Sequence, residues 1–293
     1  MPVDLPLSWS LKSDCTHCFA LCCNAFGFSS SSDFAIDKPA GAPCPNLGPG
    51  HACRIHRSLR PRGFRGCAVF DCFGAGQAVS QRLFGGIEPD RPEDRRTMFD
   101  AFTIVRQLHE MLWHLEEAEA RTFDPDAARA AQDLAALVAT TSRGHLDDLR
   151  STDMSALHSR VAAALREISE EVRAGYRADG CELFPEARAG ADLAGRDLRS
   201  SNLCAADLRG ACLIGADLRG NTAAGVDLLG ADLRDARIEG ADLSTALFVT
   251  QPQIESARGN ADTALPHRLS APAHWSNRPA DEETPWDHGC TPP

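Results

Sequence analysis

The chain contains no long hydrophobic run. None of its apolar segments approaches the roughly 18 residues that a membrane-spanning helix needs. The first residues, Met1 to Asp14, also lack a basic stretch followed by a long apolar core, which is the pattern of a secretory signal. The sequence therefore predicts a cytoplasmic protein without a membrane partner.

The signatures of several enzyme classes are missing as well. There is no HExxH metalloprotease motif, no GxSxG nucleophile turn and no protein-kinase set of motifs. Gly74 and Gly76 lack the spacing of a nucleotide-binding loop. We therefore assign no catalytic residue and no residue for an organic cofactor, and the sequence favours a protein that is not an enzyme.

A surplus of positive charge is also absent. The formal net charge is -11 at pH 7, which argues against nonspecific binding to nucleic acid. Residues 1–87 are the exception, with 8 Lys and Arg against 5 Asp and Glu. A positive local field favours thiolate over thiol, and this segment is rich in cysteine. No pattern in the sequence predicts the oligomeric state.

A five-residue repeat fills the C-terminal part of the chain. Residues 191–250 divide without insertion into twelve quintets, which read ADLAG, RDLRS, SNLCA, ADLRG, ACLIG, ADLRG, NTAAG, VDLLG, ADLRD, ARIEG, ADLST and ALFVT. The central residue is usually Leu, and the residue two positions before it is usually Ala. A period of five fits neither a strand, with period 2, nor an α-helix, with period 3.6.

These quintets resemble the pentapeptide-repeat family. The resemblance implies a right-handed quadrilateral β-helix, in which the central Leu and the Ala point inward and four quintets make one coil. Twelve quintets then make about three coils, with exposed ends that need caps. We expect the helical region to cap one end and a short helix within residues 248–257 to cap the other.

The predicted fold class is therefore mixed, with four parts. They are a Cys-rich metal-binding module at 1–87, a helical region at 88–180, the pentapeptide-repeat β-helix with its cap at 181–259 and a poorly ordered tail at 260–293. Apolar residues recur every three or four positions from Met98 to Leu115 and again from Met154 to Val172, which predicts two amphipathic helices. A further helix is expected at 125–140.

The cysteines supply the strongest indication of chemistry. Eight of the twelve lie between residues 15 and 72. Because cytoplasmic thiols stay reduced, this clustering favours ligands over disulfides, and a CxxC spacing brings two thiolates to one metal ion. The predicted metal ligands are Cys15, Cys18, Cys22, Cys23, Cys44, Cys53, Cys67 and Cys72.

The order of these motifs resembles a known family. CxxCxxxCC at 15–23, followed by CxxL, CxIH and CxxxxC, is similar to the CxxCxxxCC family of zinc- or iron-chelating cluster domains. The resemblance covers residues 14–73 and implies that the eight cysteines hold metal. His56 stands where that family usually has an aromatic residue, so its role as a ligand stays open. The segments CFALCC at 18–23, DFAIDK at 33–38 and DCFGAGQ at 71–77 are typical of an actinobacterial-type group of pentapeptide-repeat proteins with this cysteine head, and most of the chain resembles that group.

The choice of metal stays open between zinc and iron. Two zinc sites with four thiolates each would use all eight cysteines, whereas one [4Fe–4S] cluster would use four. Cys22 and Cys23 are adjacent, and neighbouring side chains diverge, so the pair suits a cluster or two separate sites.

Three functions are compatible with these features. The favoured one is a metal-binding protein, with zinc or iron, whose repeat solenoid docks a partner protein and has a regulatory role. The second is a DNA-mimicking modulator of DNA gyrase, as some pentapeptide-repeat proteins are. Arg199 and Arg219 beside Asp197 and Asp217 give mixed charge and argue against it. The third is an iron–sulfur enzyme, because the CxxCxxxCC signature also occurs in a flagellin lysine methylase family.

Overall fold

The computed structural model describes residues 11–177 and 184–275. Eight α-helices are numbered in chain order: α1 Leu21–Ala25, α2 Arg65–Ala68, α3 Ala75–Gln77, α4 Pro92–Arg121, α5 Pro125–Ser142, α6 Leu146–Ser151, α7 Met154–Arg177 and α8 Gln251–Ser256. Short 3-10 turns occur at Cys15–His17, Pro49–His51, His56–Ser58 and Arg60–Arg62, and a π-helical turn occurs at Ala78–Leu83. In the part of the chain that the structure describes, no helix is long and apolar enough to cross a membrane.

The cysteine-rich residues contain little regular structure. Two isolated antiparallel bridges, Phe28 with Lys38 and Leu47 with Cys53, hold their loops together. The stacked rings of Phe28 and Phe34 support the first of these loops. Leu21, Ala75 and Val79 are fully buried and join these residues to the core of the helical region.

Helix α4 is the central element of the helical region. It begins with Pro92 at its first turn and with Glu93 and Asp94, whose carboxylates favour a helix N-terminus. The predicted apolar stripe is buried at Met98, Phe102, Val105, Leu108, Leu112 and Leu115. Helices α5, α6 and α7 pack against α4. One core therefore joins the cysteine-rich residues and the helices.

The repeat forms a coil with a period of twenty residues. The amide of Leu193 donates to the carbonyl of Cys212 at 2.8 Å, and the amide of Cys212 donates to the carbonyl of Ala191 at 2.9 Å. The central residues of the quintets and most of the alanines are buried inside the coil. We call residues 187–269 the repeat coil.

The prediction of a β-helix is wrong. Within the described residues the repeats contain no β-strand and no sheet, only turns joined by isolated parallel bridges such as Asp197 with Asp217. The reason is that each quintet contributes one bridging residue between two tight turns. A strand needs consecutive bridged residues, and five residues per side leave no room for them.

Helix α8 does not end the coil. Two residues that follow α8 continue the hydrogen-bond pattern of the coil. The carbonyl of Arg258 accepts from the amide of Ile238, and the carbonyl of Ala264 accepts from the amide of Leu243. Trp275 is buried against Gly259. Residues 260–275 of the predicted tail therefore pack on the coil, and residues 276–293 lie outside the described part. The four-part division of the chain stays a prediction.

Candidate functional site

The eight predicted cysteines all lie in described residues and form no disulfide. Cys15 begins a 3-10 turn and is exposed, whereas the other seven are partly buried. Cys22 and Cys23 follow each other on α1, which enters from Ala20 in the left-handed backbone region, with φ 52°. The structure distributes these thiols over two neighbourhoods.

The first neighbourhood surrounds Gly76. A Cβ atom added there would lie 2.7 Å from the Sγ of Cys18 and 3.7 Å from the Sγ of Cys72, so glycine leaves room for both sulfurs. The hydroxyl of Ser13 lies 3.1 Å from the Sγ of Cys72. Burial raises the pKa of Cys15 to about 11, and the thiols of Cys72 and Cys18 add to this effect.

The second neighbourhood contains Cys23, Cys44, Cys53 and Cys67. Burial raises the pKa of Cys67 to about 11, and Cys23, Cys44 and Cys53 add to the effect. The amide of Cys44 donates to the carbonyl of Cys23 at 3.2 Å, which fixes the two chain segments together.

Cys22 and Cys23 connect the two neighbourhoods. Their sulfurs are 3.9 Å apart. The hydrogen bond between them lowers the pKa of Cys23 to about 7 and raises that of Cys22 well above its usual value. Either sulfur can be the donor of this hydrogen bond.

A buried lysine lies beside the second neighbourhood. Lys38 is 4% exposed, and its Nζ donates to the carbonyls of Asn24, at 3.4 Å, and of Pro39, at 3.2 Å. Burial lowers the pKa of Lys38, and nearby thiols, Cys44 first, oppose that shift. The sequence analysis missed this residue. Its bridge to Phe28 is long-range information that local spacing does not carry.

The described residues do not support a metal centre. They contain no group of three or more His, Cys, Asp or Glu side chains that could hold a metal ion. The description of this chain as a metal-binding, zinc or iron–sulfur protein is therefore corrected. The physical reason is that the described side chains do not bring three donor atoms together in either neighbourhood, and His56 is exposed. The eight separate ligand assignments and the zinc or iron cofactor stay predictions, which elemental analysis of the purified chain would check.

One side of the repeat coil is fastened to α7. We call this the clasped face, which Asp207, Asp227 and Leu247 define through their bridges. Arg173, 3% exposed, lies 3.6 Å from the carboxylate of Asp207 and donates to the carbonyl of Ala205 at 3.2 Å. Asp227 is fully buried and accepts a hydrogen bond from Ser169.

The sequence contained a signal for the clasped face. Where other quintets read ADLRG, this one reads VDLLG, so Leu229 replaces the usual arginine. Leu229 packs against the core of the helical region. An apolar residue at an outward position of one quintet indicated a covered side of the coil.

Among the described residues, no hydrogen bond or ion pair joins a helix to the opposite side of the coil. We call it the open face, formed by the ladder Asp197, Asp217 and Arg237 with the adjacent Arg199, Arg219 and Glu239. Arg199 lies 2.6 Å from Asp197 and 3.7 Å from Asp217, and Arg219 lies 2.7 Å from Asp217. Asp197 and Asp217 are thus paired with arginines, both within a coil and between coils.

The cysteine-rich residues are joined to the end of the coil. Arg65 Nη1 lies 2.7 Å from a carboxylate oxygen of Asp235, and Arg60 Nη2 lies 3.3 Å from that of Glu255. Arg258 also contacts Asp235, at 3.0 Å. The pKa of Asp235 is lowered, because the ion pairs with Arg65 and Arg258 outweigh the opposing effect of burial.

Comparison with known proteins agrees with the repeat. The family model described as "Pentapeptide repeats" matches residues 189–220 and 211–248. The chain is also 47% identical over 270 residues to the Bacillus subtilis (strain 168) protein described as "Uncharacterized protein YybG", with 92% of this chain and 96% of that protein covered. Neither match confirms the cysteine motif as a metal-binding domain or the actinobacterial-type grouping, which stay predictions. The chain belongs to the family of pentapeptide-repeat proteins that includes YybG.

Proposed function

We propose that this protein is a docking scaffold whose open face binds a partner protein. The observation that carries the proposal is the difference between the two sides of the coil. The clasped face is covered by the chain's own helices, whereas the open face presents an ordered set of alternating charges. A fixed pattern of paired charges supplies specificity for a complementary protein surface.

The rest of the chain supports this role by holding the coil in place. Arg173 fastens the coil to α7 from one side, and Arg65 and Arg60 fasten its end to the cysteine-rich residues. A scaffold of this kind keeps its binding surface preorganised, which reduces the entropy lost on binding.

The two alternative functions fit less well. A DNA mimic needs unpaired acidic groups on one side, but Asp197 and Asp217 are paired with Arg199 and Arg219. An iron–sulfur enzyme needs a metal centre, and the described residues contain no group that could hold one. A gyrase supercoiling assay with the purified chain separates the first alternative from docking, because a scaffold for another partner leaves supercoiling unchanged.

Site-specific photo-crosslinking in cells tests the docking proposal. A benzoylphenylalanine in place of Arg199 lies on the open face, and one in place of Ser244 lies on an adjacent side and serves as the control position. We expect one defined partner protein, identified by mass spectrometry, to cross-link at position 199 and not at position 244. Arg219→Glu should abolish this product, while Arg129→Glu on the exposed surface of α5 should leave it unchanged. Equal products at both positions would overturn the proposal.

A further inference from the structure

A groove of about 450 Å³ lies where α4, α7 and the repeat coil meet. Helix α4 contributes Glu110 and His114, helix α7 contributes His158 and Leu165, and the coil contributes Leu229. Its volume is that of a small-molecule site. None of the eight cysteines and none of the open-face residues lines the groove, so neither a cysteine site nor the proposed docking surface uses it.

The charge in this groove has one sign. Among the described residues that line it, Glu110 is the only carboxylate, and there is no lysine or arginine. Glu110 pairs with Arg106 at 3.4 Å across one helical turn, and both side chains are partly exposed. Such a pair contributes only about 0.3–0.5 kcal/mol, so a cationic ligand can compete for the carboxylate.

His114 is an unsatisfied polar group at the same place. It is 7% exposed, and its Nδ1 has no hydrogen-bond partner among the described residues. Its ring packs edge-on against Phe248, with 6.0 Å between the centroids. Burial lowers the pKa of His114 to about 4, and Arg268 adds to this effect. A neutral imidazole has one nitrogen that accepts a hydrogen bond.

The remaining walls are apolar. Met111 on α4 and Val161 and Leu165 on α7 are buried core residues that also line the groove. They provide a surface against which an aromatic or aliphatic group can pack, away from water.

We propose that this groove binds a small organic amine with an apolar body. The ammonium group pairs with the carboxylate of Glu110, one helical turn from the ring of His114. The apolar body packs against Met111, Val161 and Leu165. An anionic ligand is disfavoured, because it would meet the Glu110 carboxylate with no cationic side chain among the described lining residues to offset it.

Isothermal titration of the full chain with three probes of similar size tests the proposal. The probes are 2-phenylethylamine, the uncharged 2-phenylethanol and the anionic 3-phenylpropionate. We expect saturable binding of the amine, at least tenfold tighter than that of the alcohol, and weaker binding of the acid. No saturable binding of the amine, or equal affinity for all three, overturns the proposal.

Two variant pairs locate the binding. Glu110→Gln should remove the tenfold preference for the amine, whereas Glu93→Gln at the exposed start of α4 should preserve it. Ala162→Trp at an exposed position on the groove should block the amine, and Ala163→Trp, one residue along and outside the groove, should not. Unchanged binding in Ala162→Trp would show that the amine binds elsewhere and would overturn the proposal. Loss of cross-linking at the open face has no bearing on this result.

Discussion

The fifth position of the quintet shows what a single residue contributes to the coil. In most quintets it adopts a positive φ, which is 66° at Gly195 and 63° at Gly225, and Ala205 and Asp235 hold the same conformation without being glycine. A side chain in this left-handed region costs about 1–2 kcal/mol. Glycine at this position therefore stabilises the turn, but other residues can also occupy it.

Gly195→Ala and Gly225→Ala should separate backbone strain from crowding. A Cβ at Gly195 would meet nothing within 4 Å, whereas one at Gly225 would collide with the ring of Tyr176. We expect Gly195→Ala to lower the free energy of unfolding by about 1 kcal/mol. We expect Gly225→Ala to lower it by about 1–3 kcal/mol more. Urea denaturation measures both, and Tyr176→Ala introduced with Gly225→Ala should remove the excess. Equal losses in the two single variants would contradict the contact.

At the scale of elements, the buried charges decide how α7 sits on the coil. Arg173 lies among Ser169, Asp207 and the carbonyl of Ala205, and it is 3% exposed. Burial raises the pKa of Asp227 at the same interface, although the hydrogen bond from Ser169 opposes this. Removing Arg173 takes away its hydrogen bonds to Ser169 and to the carbonyl of Ala205, whereas Asp207 keeps Arg209 as a partner.

Arg173→Met should therefore be destabilising. Loss of the hydrogen bonds of a buried polar group costs about 1–3 kcal/mol. The matched control is Arg177→Met on the same helix, because Arg177 is partly exposed and pairs with Glu170 at the surface, where a pair contributes about 0–1 kcal/mol. Thermal unfolding followed by circular dichroism compares the two. Similar melting temperatures would show that Arg173 does not fasten α7 to the coil.

At the scale of the whole molecule, contacts between distant parts of the chain join the cysteine-rich residues to the coil. Arg65 and Asp235 are separated by 170 residues, and Arg60 and Glu255 by 195. Arg65 also donates to the carbonyl of Ser256 at 2.8 Å, at the end of α8. The end of the coil is thus stabilised by residues near the start of the chain.

Arg65→Ala should loosen the end of the coil without unfolding its interior. We expect amide hydrogen exchange to become faster in residues 251–258 and to stay unchanged in residues 206–218, whose coil hydrogen bonds do not involve Arg65. Arg62→Ala is the control, because Arg62 bonds to Ser58 within its own segment. Identical exchange in the Arg65 and Arg62 variants would contradict a docking role for Arg65.

The features that sequence predicted are those that depend on local periodicity. The stripe from Met98 to Leu115 and the inward central residue of each quintet are short-range patterns, and both are buried. The β-helix prediction failed because inward periodicity does not show whether consecutive residues pair. The metal prediction failed because cysteine spacing along the chain does not determine whether three sulfurs converge. Arg173, Lys38 and the groove at His114 depend on segments far apart in sequence, so no local window contained them.

The twenty-residue period has a consequence for how this protein can change in length. Each quintet advances the chain by a quarter turn around the axis, so inserting or deleting one quintet before Asp227 would rotate that residue to a neighbouring side, out of reach of Ser169. An insertion of twenty residues would restore the phase. The interface with α7 is therefore preserved only when insertions or deletions in the coil comprise whole turns of twenty residues.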